Sequence, residues 1–137
     1  MYIISEIFPQ HSGDLHKAKR MINYSFLAGA SAVKFQLLQN NMFSKDGFDR
    51  SYGELTFSQL KDLVNYSNDI GITPFATAFT EETLDWCVKL NLKYLKIPAR
   101  MHTENPKLVS SILKLNIPTF ISIRPSEIDK VNIEKKK

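Results

Sequence analysis

The chain has 137 residues, of which 43% are hydrophobic and 23% are charged, which is typical of a folded globular domain and excludes a disordered segment. Its net charge is +4, but the C-terminal Lys135, Lys136 and Lys137 supply three of these charges, which argues against a nucleic-acid-binding surface. The single cysteine excludes an internal disulfide, and we find neither a signal peptide nor a membrane span, so we expect a cytoplasmic protein.

Strand and helix signals alternate along the whole chain. Short apolar runs predict five strands, at 2–7, 30–37, 72–79, 92–97 and 118–123. Apolar residues at helical spacing predict a helix in each gap between them, at about 14–28, from 56 to 71, after 80 and from 105 to about 115. A polar connection at 39–55 lies between the second strand and the second helix.

Capping signals support the helix starts. Thr56 with Gln59 three residues later is typical of a capping box. Thr80 precedes two glutamates, which suit the positive end of a helix. Asn105 is a capping residue followed by Pro106 at the first helical position.

The order of these elements predicts a parallel sheet covered by helices. No strand alternates cleanly between apolar and polar residues, so we expect both faces of the sheet to be buried. One face becomes polar toward the C-terminal strand ends, as in an α/β barrel of the TIM type. An open doubly wound sheet is the alternative, but it would concentrate the polar site at one switch point.

The length of the chain fits only part of a barrel. A complete eight-stranded barrel needs about 250 residues. We therefore predict that residues 1–125 form a partial barrel of about five parallel strands, and that 126–137 form a short helix or a frayed basic tail.

A polar residue lies near the C-terminal end of every predicted strand, namely Glu6, Lys34, Thr77, Lys96 and Ser122. Buried charges are costly unless they are paired, so each lysine requires an acidic partner. Glu6 is one such partner, but one glutamate cannot neutralise two lysines. The surplus positive charge predicts a dianionic ligand such as a phosphate ester.

Three further residues are candidates for this site. Gln36 shares the strand face of Lys34, Arg100 follows the fourth strand and could bind an anion with two hydrogen bonds, and His11 follows the first strand. Structural alternatives remain open for each: a lysine that reaches solvent from a strand end, a buried Thr77 bonded to backbone, a solvated arginine and a structural histidine.

Other chemistries lack a signal in this sequence. The three histidines have no metal-ligand spacing, so no metal site is expected within this segment. Cys87 lies between Trp86 and Val88 on an apolar helix face and is more typical of a core residue than of a nucleophile.

Several segments, in order along the chain, resemble the N-acetylneuraminate (sialic acid) synthase family. They read SEIF and QHSGD within 5–14, AGASAVKFQ at 28–36, GITPFATAF at 71–79, LKIPARM at 95–101, NPKL at 105–108 and PTFISIR at 118–124. Each motif alone is weak, but together they span nearly the whole chain.

The resemblance implies a TIM-barrel enzyme that condenses phosphoenolpyruvate with an N-acetylated sugar such as N-acetylmannosamine to give a sialic acid. A divalent metal, Mn²⁺ or Mg²⁺, would activate the aldehyde of the sugar. By position, Lys34, Thr77 and Lys96 would hold phosphoenolpyruvate, Gln36 would contact the sugar, and Glu6 would act near the metal–sugar centre. Glu6 and Lys34 are thus the predicted catalytic residues.

The chain departs from the family pattern after the fourth and fifth strands. The family's Ser-Gly-Glu is Ala99-Arg100-Met101 here, so a phosphate-binding hydroxyl and a sugar-contacting glutamate are absent. Arg100 and Ser122 remain as predicted substrate-binding residues. The metal-binding histidines of the family lie in later strands, so we expect no turnover from this segment alone.

Two other functions remain open. One is a non-catalytic half-barrel with a degenerate anion site, which pairs with a second copy or with a missing C-terminal half. The other is a different phosphoenolpyruvate- or Schiff-base-using barrel, with Lys96 as an imine-forming amine.

Overall fold

The computed structural model describes residues 1–7, 10–39 and 51–126. Within these ranges the strands are β1 (Ile4–Glu6), β2 (Ala32–Leu37), β3 (Thr73–Ala78), β4 (Leu95–Ile97) and β5 (Thr119–Ile121). The helices are α1 (Leu15–Leu27), α2 (Phe57–Ile70), α3 (Glu81–Lys89), α4 (Met101–Glu104) and α5 (Pro106–Lys114), with a 3-10 turn at Ser51–Gly53. Most of the predicted polar connection and all but the first residue of the predicted tail lie outside the described residues.

The strands form one parallel sheet in the order β1-β2-β3-β4-β5. Every strand therefore lies beside the next strand of the chain. In a barrel each strand pairs with the next strand of the chain, whereas a doubly wound sheet reverses its strand order at a switch point. The predicted partial TIM-type barrel of five parallel strands is confirmed, and the doubly wound alternative is excluded.

The predicted capping residues all accept hydrogen bonds from backbone amides of the first turn. Thr56 accepts from Gln59 at 3.3 Å, Thr80 from Thr83 at 3.1 Å and Asn105 from Leu108 at 3.1 Å. Asp14, where the first helix was expected to open, accepts from Lys17 at 3.0 Å in the same way. These bonds satisfy amide groups that have no partner within the helix. They fix where α1, α2, α3 and α5 begin.

The outer face of the sheet and the helices share one apolar core. The predicted apolar face of β2, formed by Val33, Phe35 and Leu37, is at most 2% exposed and belongs to this core. Cys87 of α3 is fully buried there, and burial raises the pKa of its thiol to about 12. The prediction that Cys87 is a core residue is therefore confirmed.

The inner face of the sheet carries an aromatic cluster formed by Tyr2, Phe75, Tyr94 and Phe120. Ring centroids lie 5.4 Å apart for Phe75 and Phe120, 5.7 Å for Tyr94 and Phe120, and 6.3 Å for Tyr2 and Tyr94. Phe75 is buried, but Tyr2 is 51% exposed and Phe120 is 37% exposed. The expectation that both faces are buried is therefore wrong near the sheet edges. Side chains from all eight strands fill the interior of a complete barrel, and five strands supply only part of them.

Leu63→Ala and Leu113→Ala provide a matched test of this packing. Leu63 of α2 is fully buried, whereas Leu113 of α5 is 46% exposed. We expect Leu63→Ala to lower the free energy of unfolding by about 2–5 kcal/mol, because it leaves a cavity. Leu113→Ala should change it by less than about 1 kcal/mol. Urea denaturation of both variants measures this, and equal losses would contradict the assignment of the core.

Candidate functional site

The strand register brings the predicted polar residues to one face of the sheet. Glu6 is the partner of Lys34 across β1 and β2, and Gln36 is the partner of Thr77 across β2 and β3. The register of β3 and β4 sets Lys96 beside Thr77. Partner residues on adjacent strands point to the same face. The polar groups therefore share the face of the aromatic cluster, with Lys34 beside Phe75 in the register and Thr77 two residues further along β3.

Glu6 is the partner of two side chains from β2. Its Oε2 lies 2.5 Å from the Lys34 ammonium and accepts a hydrogen bond of 3.2 Å from Nε2 of Gln36. The Lys34 side chain is only 16% exposed. Its ammonium therefore contacts the carboxylate inside the sheet mouth instead of extending into solvent, which was the structural alternative.

Lys96 has a different environment from Lys34. Its ammonium donates to the backbone oxygen of Ile97 at 2.8 Å and to Oγ of Ser122 at 2.6 Å. No carboxylate in the described parts of the chain lies within ion-pair distance of this ammonium. Burial and repulsion from Lys34 lower the pKa of Lys96 to about 8, and attraction by Glu6 offsets only part of this shift.

The charges of the two lysines are nevertheless close enough to influence each other. The Lys34 ammonium is close enough to Lys96 to lower the pKa of its amine. Glu6 neutralises Lys34 by direct contact, and it reaches Lys96 only through space. The charge surplus predicted from the sequence is present in this geometry, and it is localised on Lys96.

Thr77 and Arg100 lie near this mouth with other contacts. Thr77 is 2% exposed on β3. The Arg100 guanidinium lies 5.2 Å from the centroid of the Phe79 ring, and its Nε is 3.7 Å from Oε2 of Glu104. Arg100 is thus held at the end of β3 by an aromatic face.

Two histidines follow the strand ends. His11 is 1% exposed, its Nδ1 accepts from the Gly13 amide at 3.1 Å, and burial lowers its pKa, which favours the structural interpretation. His102 places its Nε2 3.2 Å from the backbone oxygen of Ser122. Sequence reasoning missed His102 because it weighed this residue only as a metal ligand. Its position shortly after β4 was the available signal.

The described residues do not group into a metal site. Within the described ranges, no three His, Cys, Asp or Glu side chains are grouped as metal ligands. Glu6 contacts Lys34 and Gln36. Met101, at the position of the family's sugar-contacting glutamate, is 2% exposed and belongs to the core. The Met101 side chain therefore packs in the core instead of lining the mouth of the sheet.

The sequential parallel sheet and its polar strand ends define a partial (β/α) barrel with a candidate anion site at the C-terminal face. The chain belongs to the NeuB family, whose model matches residues 21–133. The family resemblance seen in the sequence motifs is thus confirmed. In the described part of the chain, no helix is both long enough and apolar enough to cross a membrane.

Two curated relatives illustrate this membership. The chain is 29% identical to an N,N'-diacetyllegionaminic acid synthase of Legionella pneumophila, with 96% of the chain and 42% of that protein covered. It is 31% identical to an N-acetylneuraminate-9-phosphate synthase of Mus musculus, with 93% and 40% covered. The chain thus spans about two fifths of the length of these relatives.

A solved structure shows the same arrangement. The crystal structure of an N-acetylneuraminic acid (sialic acid) synthetase from Leptospira borgpetersenii, in complex with citrate, matches with a TM-score of 0.86 and 26% identity. The match covers 94% of this chain and 47% of that one. The chain therefore corresponds to somewhat less than half of that protein.

The pH dependence of stability tests the environment of Lys96. Its pKa is about 8 in the folded chain, against an ordinary value of 10.5. Between these values the unfolded chain binds more protons, so this group makes the free energy of unfolding rise with pH. This contribution to the free energy of unfolding is fully present above pH 10.5 and is lost as the pH falls through about 8.

We therefore expect the stability difference between the wild type and Lys96→Met to grow in favour of the wild type from pH 8 to 10.5. Urea denaturation at several pH values measures it. Lys89→Met is the control, because Lys89 is 61% exposed and paired with Asp85. Parallel curves for the wild type and Lys96→Met would contradict the environment described for Lys96.

Proposed function

We propose that the chain is the phosphoenolpyruvate-binding part of a synthase that condenses phosphoenolpyruvate with an N-acetylated sugar to form a nonulosonic acid. The observation that carries this proposal is the pair of lysines that face a single glutamate at the mouth of the sheet. Family membership and the names of the legionaminic and neuraminate synthases support it.

The charges of the mouth suit this substrate. Phosphoenolpyruvate carries a carboxylate and a phosphate, and the protein supplies two ammonium groups for one carboxylate of its own. A bound anion beside Lys96 favours the protonated amine and so offsets the cost of its burial. The hydroxyls of Thr77 and Ser122 add donors for phosphate oxygens, and Arg100 adds a cation at the rim.

The remaining polar residues serve to orient the substrates. Glu6 holds the Lys34 ammonium at 2.5 Å and fixes the Gln36 amide through the same oxygen. The other amide proton of Gln36 is then available for the sugar. In the condensation, C3 of phosphoenolpyruvate forms a bond to the aldehyde carbon, water adds at C2, and phosphate leaves.

Activation of the aldehyde requires groups beyond this segment. In the family a divalent metal, Mn²⁺ or Mg²⁺, would supply it, but the described residues do not form a ligand set for one. We propose that the parts of the relatives not covered by this chain provide those ligands. We also propose a cytoplasmic location, because the single cysteine is a buried thiol and phosphoenolpyruvate is a metabolic intermediate.

Binding of phosphoenolpyruvate tests the central part of the proposal. Replacement of Lys96 or Lys34 by methionine should weaken binding about 10- to 100-fold, because a hydrogen bond to a charged group contributes about 1.5–3 kcal/mol. Isothermal titration calorimetry measures this. Lys89→Met is the matched control and should bind as the wild type does. Equal binding by all three variants would contradict the assigned site.

A turnover assay completes this test. With phosphoenolpyruvate, N-acetylmannosamine and manganese, we expect the chain alone to give no condensation product. Robust product would show that these residues suffice for catalysis, contrary to the proposal.

A second candidate function is a non-catalytic assembly module, and the exposed aromatic cluster favours it. Tyr2 and Phe120 leave apolar surface at the two edge strands, which in a complete barrel the remaining strands would cover. Open strand edges also tend to pair with other chains. The partner would be a second copy of this chain or a separate C-terminal half.

Sedimentation velocity tests this second candidate. The wild-type chain should associate with itself as concentration rises, and Tyr2→Glu should weaken the association by placing a charge on the aromatic cluster. Tyr52→Glu is the control, because Tyr52 is 49% exposed and Tyr2 is 51% exposed. A wild-type chain that stays monomeric and folded would contradict the need for a partner.

A further inference from the structure

The two lysines of the site have partners of different charge. Lys34 contacts the Glu6 carboxylate at 2.5 Å. Lys96 donates to two neutral oxygens, the Ile97 carbonyl and the Ser122 hydroxyl, and no carboxylate of the described residues lies within ion-pair distance of it. These contacts leave the positive charge of a buried ammonium without a carboxylate partner, and burial lowers the pKa of Lys96.

The contacts of Lys96 also satisfy a neutral amine. A neutral primary amine has two N–H donors and one lone pair, and the two oxygens at 2.8 and 2.6 Å match the two donors. The lone pair is then left for an electrophile. Lys96 also lies opposite Phe120 in the register of β4 and β5, so the aromatic cluster borders its stem and lowers the local polarity.

Burial and the charged groups around Lys96 together disfavour its ammonium form. Lys34 on β2 disfavours the ammonium form, and Glu6 on β1 favours it by a smaller amount than burial and Lys34 oppose it. His102 on α4 contacts the backbone oxygen of Ser122 instead of the amine. The Arg100 guanidinium lies over the Phe79 ring, and because it is a cation it does not favour the ammonium form of Lys96.

We propose that Lys96 is a nucleophilic amine that forms an imine with small 2-oxo acids, while Lys34 binds their carboxylate. The proposal rests on the proposed function only in using the same anion site. It adds a reaction to that site. The open-chain product of the condensation is itself a 2-oxo acid, so the ligand class matches the proposed product.

The reaction needs no redox partner. The lone pair of Nζ attacks C2 of the oxo acid, and the carbonyl π electrons move to the oxygen. A proton passes from nitrogen to that oxygen, and the Ser122 hydroxyl at 2.6 Å is placed to relay it. The carbinolamine then loses its hydroxyl group and the second amine proton as water, which leaves a C=N bond. Hydride from added borohydride reduces this bond to a stable secondary amine.

Borohydride trapping on the full chain tests the proposal, with pyruvate as the probe. After digestion, mass spectrometry should find the carboxyethyl group on Lys96 at least about tenfold more often than on Lys89, because at neutral pH an amine of lowered pKa is deprotonated far more often. Trapping should rise as the pH passes through about 8. Lys96→Arg should abolish this label, and Lys89→Arg should leave it unchanged.

A comparison of probes isolates the role of Lys34. The wild type should prefer pyruvate to acetone, and Lys34→Met should lose this preference, because acetone has no carboxylate. Label spread over lysines according to exposure, or an unchanged preference in Lys34→Met, would overturn the proposal. Circular dichroism of each variant checks that it is folded.

The outcomes separate this proposal from the proposed function. The trapping is repeated with added phosphoenolpyruvate. If pyruvate is trapped selectively on Lys96 and phosphoenolpyruvate does not reduce the trapping, the imine proposal stands and the proposed phosphoenolpyruvate site is contradicted. If phosphoenolpyruvate binds tightly but pyruvate is not trapped selectively on Lys96, the proposed phosphoenolpyruvate site stands and the imine proposal is overturned.

Discussion

The contact between Glu6 and Lys34 determines the charge of the inner face. It is the ion pair that lies at the sheet mouth, and it uses the one carboxylate that β1 presents there. Lys96 is consequently left with neutral hydrogen-bond acceptors and with the repulsion of Lys34. Both the proposed anion site and the proposed imine chemistry follow from the contact of the Glu6 carboxylate with Lys34 instead of Lys96. If Glu6 contacted Lys96 instead, the two lysines would exchange roles.

The barrel geometry sets this chemistry beside an apolar cluster. In the strand register Lys34 lies beside Phe75 and Lys96 beside Phe120, so both lysines border the aromatic cluster. Surroundings of low polarity strengthen the interactions of charged groups. The same cluster is exposed at Tyr2 and Phe120, so the feature that supports the site also calls for a covering partner.

The sequence predicted the features that depend on local pattern. Strand order, helix caps and the convergence of Glu6, Lys34 and Lys96 follow from apolar spacing and from the rule that parallel strand ends share one edge. Contacts between distant loops were missed, among them His102 with Ser122 and Arg100 with Phe79, because no spacing encodes them. The helix α4 was also missed, since four residues show no periodicity. The choice of Glu6 between the two lysines depends on register, which the sequence does not reveal.

Solution NMR of the lysine side chains during a titration with phosphoenolpyruvate tests the central claim most directly. The account predicts that the signals of Lys34 and Lys96 shift together with one dissociation constant, and that bound ligand raises the pKa of Lys96 from about 8. The signal of Lys89 should not move. A shift of only one of the two signals, or of neither at saturating ligand, would contradict the claim that both amines serve one anion.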